Sequence, residues 1–379
     1  MYVLLWAPVM MAYTSFSSKT QLKGALAFWD SDPTGGDAAY GAVGTWDVTA
    51  ITDMKELAKN KKYFDEELSG WDTSSVTDMH GMLDFAQRFN KPLAFDTSKV
   101  TDMADMCRVT LDAFNQPVPF DTSSVTTMSL MFQAARWFNH PIEFDTTSAD
   151  VSSLLFGTFR FNQPIDIALD NTDNMGWMFK ESKAYNSPIS LDTSSVTGFH
   201  AMFWKATKFN QHVAFDTSSA HDVRKMLYDT YAFNKPLAFD TSRATSFYQF
   251  LIAAVVFNQP LYFDSSSVTD FTDMFTSTNE LSDCNKRVIH DNFDSNTNWI
   301  GAYDWSTYSH CPPLPPAIPA PAVPPRPPLL PPSPLPPPPP SLPPSPPPFH
   351  PPPSPLPTTP PPSSPPLSPP PSPPPLSPP

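Results

Sequence analysis

The stretch FNKPLAFDTSKVTDM, residues 89–103, decides the fold. It returns as FNQPVPFDTSSVTTM at 114–128, as FNKPLAFDTSRATSF at 233–247 and as FNQPLYFDSSSVTDF at 257–271. Taking the Asp of the D-T-S position as anchor gives Asp47, Asp72, Asp96, Asp121, Asp145, Asp170, Asp192, Asp216, Asp240 and Asp264. Successive anchors stand 22 to 25 residues apart. A period in the twenties marks a solenoid with one supersecondary unit per winding. The expected class is therefore an α/β repeat solenoid over 47–278.

Within a copy, PLAF at 92–95 puts Leu93 and Phe95 on one face and reads as a short strand entered by Pro. In the copy at 72, Ser75 and Asp78 make a capping box. Val76, Met79, Met82, Leu83 and Ala86 follow at helical intervals, so a short helix is expected there. A rival reading makes VTDM the strand. The F-N-Q-P or F-N-K-P step turns the chain. Stacked windings would set strands about 4.8 Å apart.

Three columns recur. The Met, Phe and Leu positions are core, because a lone winding has nothing to bury them against. Asn90, Asn115, Asn139, Asn162, Asn186, Asn210, Asn234 and Asn258 follow an aromatic and are expected to bond the turns of their own and the next winding. An unpaired turn amide costs about 1–3 kcal/mol, which gives that column a structural reason to exist. The anchor aspartates are turn caps. Neighbours about 5 Å apart repel by roughly 0.8 kcal/mol in water, close to what a cap returns. Calcium at Asp72, Asp96, Asp121 and Asp145 is the sharper alternative. A second acidic column is read at Asp53, Asp78, Asp102, Asp173 and Asp270.

Catalysis is not expected. A glycosidase needs one carboxylate pair in a unique cleft, whereas each copy here offers nearly the same pair. The most deviant copies are LDNTDNMGWMF at 169–179 and HDVRKML at 221–227. His200, His212 and His221 are single histidines without metal spacing. No catalytic residue and no cofactor is assigned.

The net charge is −14, and every one of the 37 acidic residues lies before residue 312. So acidic a surface repels nucleic acid and anionic lipid head groups. Of the three cysteines, Cys107 replaces a Phe or Leu of other copies and reads as core. Cys284 and Cys311 flank the segment after the last copy, and a disulfide between them would close it. The start, MYVLLWAPVMMAYTSF, is apolar but too short to span a bilayer, and no basic residue precedes Lys19. Residues 1–18 thus read as a signal segment or a mis-placed gene start.

WDTSSVTDMHGML, followed by FAQRFNKPL, resembles the repeat of the BspA-like leucine-rich-repeat surface proteins, a group that includes the lipoprotein repeats of mycoplasmas and similar proteins of unicellular algae. SKTQLKGALAFWDSD with YGAVGTWDVTAITDM looks like the lead-in such proteins carry. The resemblance covers roughly residues 18–280. It implies a leucine-rich-repeat-like solenoid at a cell surface, used for adhesion or protein contact, and it carries over no catalytic residues. Bacterial members often bear a lipidated Cys near the start, whereas the first Cys here is Cys107.

A solenoid's raw ends must be covered. Residues 19–46 are the expected first cap, opening with a helix over KTQLKGALAFW. Residues 279–311 are the expected last cap, with Trp299, Tyr303 and Trp305 shielding the final winding or, in a sharper reading, stacking on sugar. Residues 312–379 hold 41 of the 51 prolines and can build neither helix nor central strand. As polyproline II, this tail could reach on the order of 200 Å if straight. Its Ser-Pro-Pro-Pro blocks resemble extensin-type glycoproteins and suit a hydroxylated, glycosylated stalk. LPPPPPS would equally suit profilin, SH3 or WW partners inside a cell. The expected function is non-enzymatic binding of a protein or polysaccharide at the surface or outside the cell. The alternative is an intracellular scaffold.

Overall fold

The computed structural model describes residues 14–310 apart from 112, 146–148, 166 and 168–171. Residues 1–13, the anchor Asp170, Cys311 and the proline-rich tail lie outside the described residues.

The chain opens with α1 (Lys19–Ser31), where the Ser18 hydroxyl accepts the Gln21 N–H. Leu22, Ala25, Leu26 and Trp29 fall on one face and are buried, the stripe an amphipathic helix needs. The Asp32 carboxylate caps α2 (Pro33–Tyr40), which has Pro in its first turn, where a missing N–H costs nothing. Lys19 Nζ reaches Asp53 Oδ1 at 2.7 Å, tying α1 to the first winding. Trp71 Nε1 donates to the Val43 carbonyl at 2.8 Å. Gly70 sits so close to Gly44 that a Cβ there would run into the Gly44 carbonyl oxygen.

From Trp46 to Ser282 the described residues hold no α-helix and no multi-residue strand. The helix expected over Val76–Ala86 is a run of turns. Met82, Asp84 and Ala86 donate to the carbonyls of Met79, Gly81 and Leu83, three residues back. The amides between them leave the winding. Met79, Gly81, Leu83 and Phe85 donate to Asp102, Ala104, Met106 and Arg108 at 2.8–2.9 Å. Gly81 (φ 58°) and Phe85 (φ 60°) are left-handed, as are Asp105 and Val109 one winding on. A left-handed residue every fourth position forbids a right-handed helix. It turns alternate N–H groups along the stack, where the next winding's carbonyls accept them.

Parallel bridges join Asp53 to Asp78, Asp78 to Asp102, Asp102 to Thr127 and Thr127 to Asp150. A second set links Ile142, Ile165 and Ile189 in the segment expected to be the strand. Strand pairing among the described residues is thus confined to single bridges.

The core is a column of aromatics. Phe64, Phe89, Phe114, Phe138, Phe161, Tyr185, Phe209, Phe233 and Phe257 stack in turn, with centroids 5.8–6.2 Å apart. Met79, Met103, Met128 and Met175 are fully buried beside it. Each side chain finds its apolar neighbours in the windings before and after its own. On these observations we propose the solenoid as the arrangement of the windings.

The last winding is covered by α3 (Asp283–Phe293) and α4 (Thr297–Ala302). Trp299 is fully buried against Phe271 at 5.4 Å, with Tyr303 and Trp305 packed around it. A buried Trp299 presents no face to a sugar, so the aromatic binding patch considered for this end is not formed by it. The exposed carbonyls of the final winding are met by asparagine amides. Asn292 donates to Phe263, and Asn296 donates to Ser265 and Val268 at 2.6 and 2.8 Å.

Candidate functional site

Each letter of D-T-S has its own partner. The Asp carboxylate folds back on its own turn: Asp96 Oδ1 accepts the Ser98 N–H at 3.1 Å and the Ser98 hydroxyl at 2.7 Å. Asp121, Asp216 and Asp240 repeat this with Ser123, Ser218 and Ser242. These hydroxyl and amide bonds hold the carboxyls of Asp72, Asp96, Asp121, Asp216 and Asp240 below their ordinary value. The Thr reaches the next winding. Thr73, Thr97, Thr122, Thr193 and Thr241 donate to the carbonyls of Asp96, Asp121, Asp145, Asp216 and Asp264 at 2.8–2.9 Å.

Of the calcium candidates, Asp72, Asp96 and Asp121 bind their own turns in this way, while Asp145 lends its backbone carbonyl to Thr122. Among the described residues no three acidic, His or Cys side chains converge as a metal set. Asp72, Asp96 and Asp121 spend their carboxylates on the turns at Ser74, Ser98 and Ser123.

The second acidic column differs from the sequence reading. Asp53, Asp78, Asp102, Asp150, Asp222 and Asp270 each accept the backbone N–H two residues on. Asn174, not Asp173, and then Gly198 occupy the two places between Asp150 and Asp222: Asn174 caps Gly176 and bridges to Gly198. Asp173 lies one residue outside the column and gives its carbonyl to Thr197. Asp150, Asn174, Gly198 and Asp222 stand 24 residues apart, so the column runs through Asn174 although an aspartate precedes it.

The asparagines form an unbroken chain. The Asn115 amide donates to Asn90 Oδ1, Asn139 to Asn115, Asn162 to Asn139 and Asn186 to Asn162. Asn210, Asn234 and Asn258 continue it, each at 2.8–2.9 Å. Asp65 starts the chain by accepting from Asn90, and Ser282 ends it by donating to Asn258. Gln116, Gln163, Gln211 and Gln259 add a side-chain bond to the preceding Asn, which explains the Gln of F-N-Q-P.

Cys107 is buried and free, and burial pushes its thiol far up, so it is inert core. Cys284 is disulfide-bonded; Cys311, the partner expected for it, lies outside the described residues. His200 stands 3.7 Å from Asp222 and edge-on to Trp177. Burial raises the Asp222 carboxyl, but Arg224, His200 and the Arg224 amide hold it well below the ordinary range. Asp222 and Arg224 line a shallow cleft with His221, Ser246 and Asp270. His212 stands apart from that cleft, two residues after Asn210 on the Asn column.

The turn face differs from winding to winding. In the early windings charges alternate there. Asp84, 1% exposed, takes two bonds from Arg108 at 2.8 and 2.9 Å, with Lys59 at 3.6 Å. In the middle windings cations lie on aromatic rings. Arg160 stacks over Trp137 at 4.3 Å, Lys183 over Phe159 at 4.4 Å and Lys180 over Trp204 at 4.2 Å. Arg160, Lys183, Lys208 and Trp137 also line an open groove of about 910 Å³ beside the Asn column. This basic, aromatic face was not singled out from the sequence. Its signal was present in ARWFNH, FRFNQP, KESKAY and FWKATKFN, but only the stacking brings these residues together.

The family of Mycoplasma proteins of unknown function, DUF285, matches residues 27–119, 94–191 and 173–288. The chain belongs to that family. Its three tandem matches overlap across the whole run of windings, so the family unit spans several windings. No curated protein and no solved structure matches the chain. Among the described residues no helix is long and apolar enough to cross a membrane.

Proposed function

We propose that this DUF285 repeat protein is a non-enzymatic binding scaffold, secreted or displayed at a cell surface, with a leucine-rich-repeat-like solenoid carried on the proline-rich tail as a stalk. One observation supports this above the others. The recurring polar groups are mostly committed to winding-to-winding or turn bonds among the described residues, as Asp96, Thr97 and Asn115 illustrate. Chemistry that a lone site would need is therefore spread evenly and used structurally. Specificity is left to the outward positions that vary, which is how stacked-repeat proteins present an extended binding surface.

The ligand class is a protein or a polysaccharide of the surroundings. A fluorescent fusion made with the native gene start tests the location, and retention of the purified full chain on intact cells tests the binding. Signal confined to the cytosol, with no retention on cells, ends this reading. The polyproline sequence LPPPPPS at 335–341 favours the second reading, a cytosolic scaffold. Capture of profilin by the full chain, with no hydroxyproline or arabinose on the tail, would select it.

A further inference from the structure

We infer that the turn face centred on Trp204 is a binding site for an anionic polysaccharide, one bearing carboxylate or sulfate groups; this deepens, and rests on, the proposed surface-binding role. The ammonium groups of Lys180, Lys225 and Lys205 lie 4.2, 5.4 and 5.7 Å from the Trp204 ring centroid. They come from three successive windings. Lys180 is also held over Phe156 at 4.5 Å and Lys225 over Tyr248 at 5.3 Å.

Ring faces attract each cation singly, but three like charges around one indole repel each other. Burial lowers the Lys180 pKa, and Lys205 and Lys225 lower it further against the pull of Glu181. The acids bordering the cluster are Glu181, 4.0 Å from Lys205, and Asp229. Lys180 and Lys225 have no carboxylate within ion-pair distance among the described residues, nor do Lys183 and Lys208. The Trp204 indole N–H is enclosed without an acceptor. The cluster is thus rich in donors and short of acceptors.

Lysine stems commonly cover apolar surface without binding anything. The early windings show what this fold does when that is all that is needed. Lys59, Asp84 and Arg108 hold the positions that Phe156, Lys180 and Trp204 hold later, and there each cation faces a buried carboxylate. The middle windings omit the acid on a chain whose net charge is −14. An external anion is the missing partner.

A polysaccharide suits the site better than other polyanions. Three successive windings each bring one cation to Trp204, and Lys183 and Lys208, three residues after Lys180 and Lys205 in the same windings, line the open groove with Arg160. Trp137, one face of which carries Arg160, is 44% exposed in the groove that Lys183 and Lys208 line, and Trp177 is 37% exposed, so aromatic surface is present for the C–H faces of sugar rings. A long, stiff nucleic acid would meet the acidic remainder of the surface.

The test is calorimetric titration of the full chain with heparin, polygalacturonate, dextran, a short DNA duplex and polyglutamate, at low and at raised salt. Heparin or polygalacturonate should bind, and binding should weaken as salt rises. The variant Lys180→Gln/Lys205→Gln/Lys225→Gln should weaken it at least about tenfold with an unchanged melting temperature. The control Lys23→Gln/Lys62→Gln/Lys99→Gln should leave it intact. Equal loss in both variants, equal binding of dextran, or preference for DNA or polyglutamate overturns the inference. Because the triple variant should still fold, its retention on cells separates the two ideas. Full retention sinks the Trp204 site and spares the surface role, whereas no retention of the native chain sinks the surface role itself.

Discussion

The side-chain oxygen of Asn139 accepts the backbone N–H of Asn162 at 2.8 Å, one winding further along. Replacing Asn139 by Ala strands that amide and leaves the Gln163 side chain only its bond to the Asn139 backbone carbonyl. The expected cost is about 1–3 kcal/mol, read as a lower urea midpoint. Asn139→Asp should recover most of it at neutral pH, because Asp65 already performs this task for Asn90. An Asp variant as weak as the Ala variant would remove the oxygen from its assigned role.

Acid should loosen the windings. The anchor carboxyls are held below their ordinary 3.8 in the folded state. A depressed carboxyl contributes stability that is present above the unfolded value and is lost as pH falls through the folded one. The urea midpoint should therefore start to drop near pH 4 and keep dropping below it. Glu66, Asp105 and Asp229, raised by burial, act with the opposite sign at higher pH. Combining Ser98→Ala, Ser123→Ala, Ser218→Ala and Ser242→Ala removes the hydroxyl donors and should flatten the acid limb. An unchanged limb would show that these turns do not set it.

The pair of Asp84 and Arg108 is buried on the carboxylate side. Arg108→Ala leaves Asp84 with Lys59 alone, and the expected loss is about 3–5 kcal/mol. Removing both partners in Asp84→Leu/Arg108→Met should cost less than the single change. Denaturation of the three proteins decides it, and a single variant within about 0.5 kcal/mol of the native chain counts against the buried pair.

Asn296 closes the end of the stack. Its amide donates to Ser265 and Val268, while its oxygen caps α4 through Asn298 and Trp299. Asn296→Ala should expose two carbonyls and a helix start, with a loss of about 2–3 kcal/mol. Hydrogen exchange should rise first in 263–302 and leave the windings around Asn139 protected. Uniform loss of protection would mean that this cap does not open separately.

Much of this was legible in the letters. Phe89, Phe114 and Phe138 recur 25 and 24 residues apart, and only neighbouring windings can bury them. The Asn column could be named residue by residue for the same reason. The turn backbone could not. Val76, Met79, Met82, Leu83 and Ala86 satisfy a helical period, yet turns closing every third residue bury the same five side chains. Hydrophobic spacing reports which residues face inward and is silent on the sign of φ at Gly81 and Phe85. The slip from Asp173 to Asn174 arose because the column position follows its anchor by four residues in this copy and by six after Asp72 and Asp96, so an anchor counts position along the chain and not height in the stack.

The sequence by itself determined that the windings must lean on one another, because identical apolar and amide groups at a fixed interval have no other partners. Only the tertiary structure decided which amides leave each winding, which asparagines close its end, and where lysines meet a ring in place of a carboxylate. Those outcomes depend on left-handed residues and on side chains some 24 residues apart arriving side by side, and no local pattern carries that information.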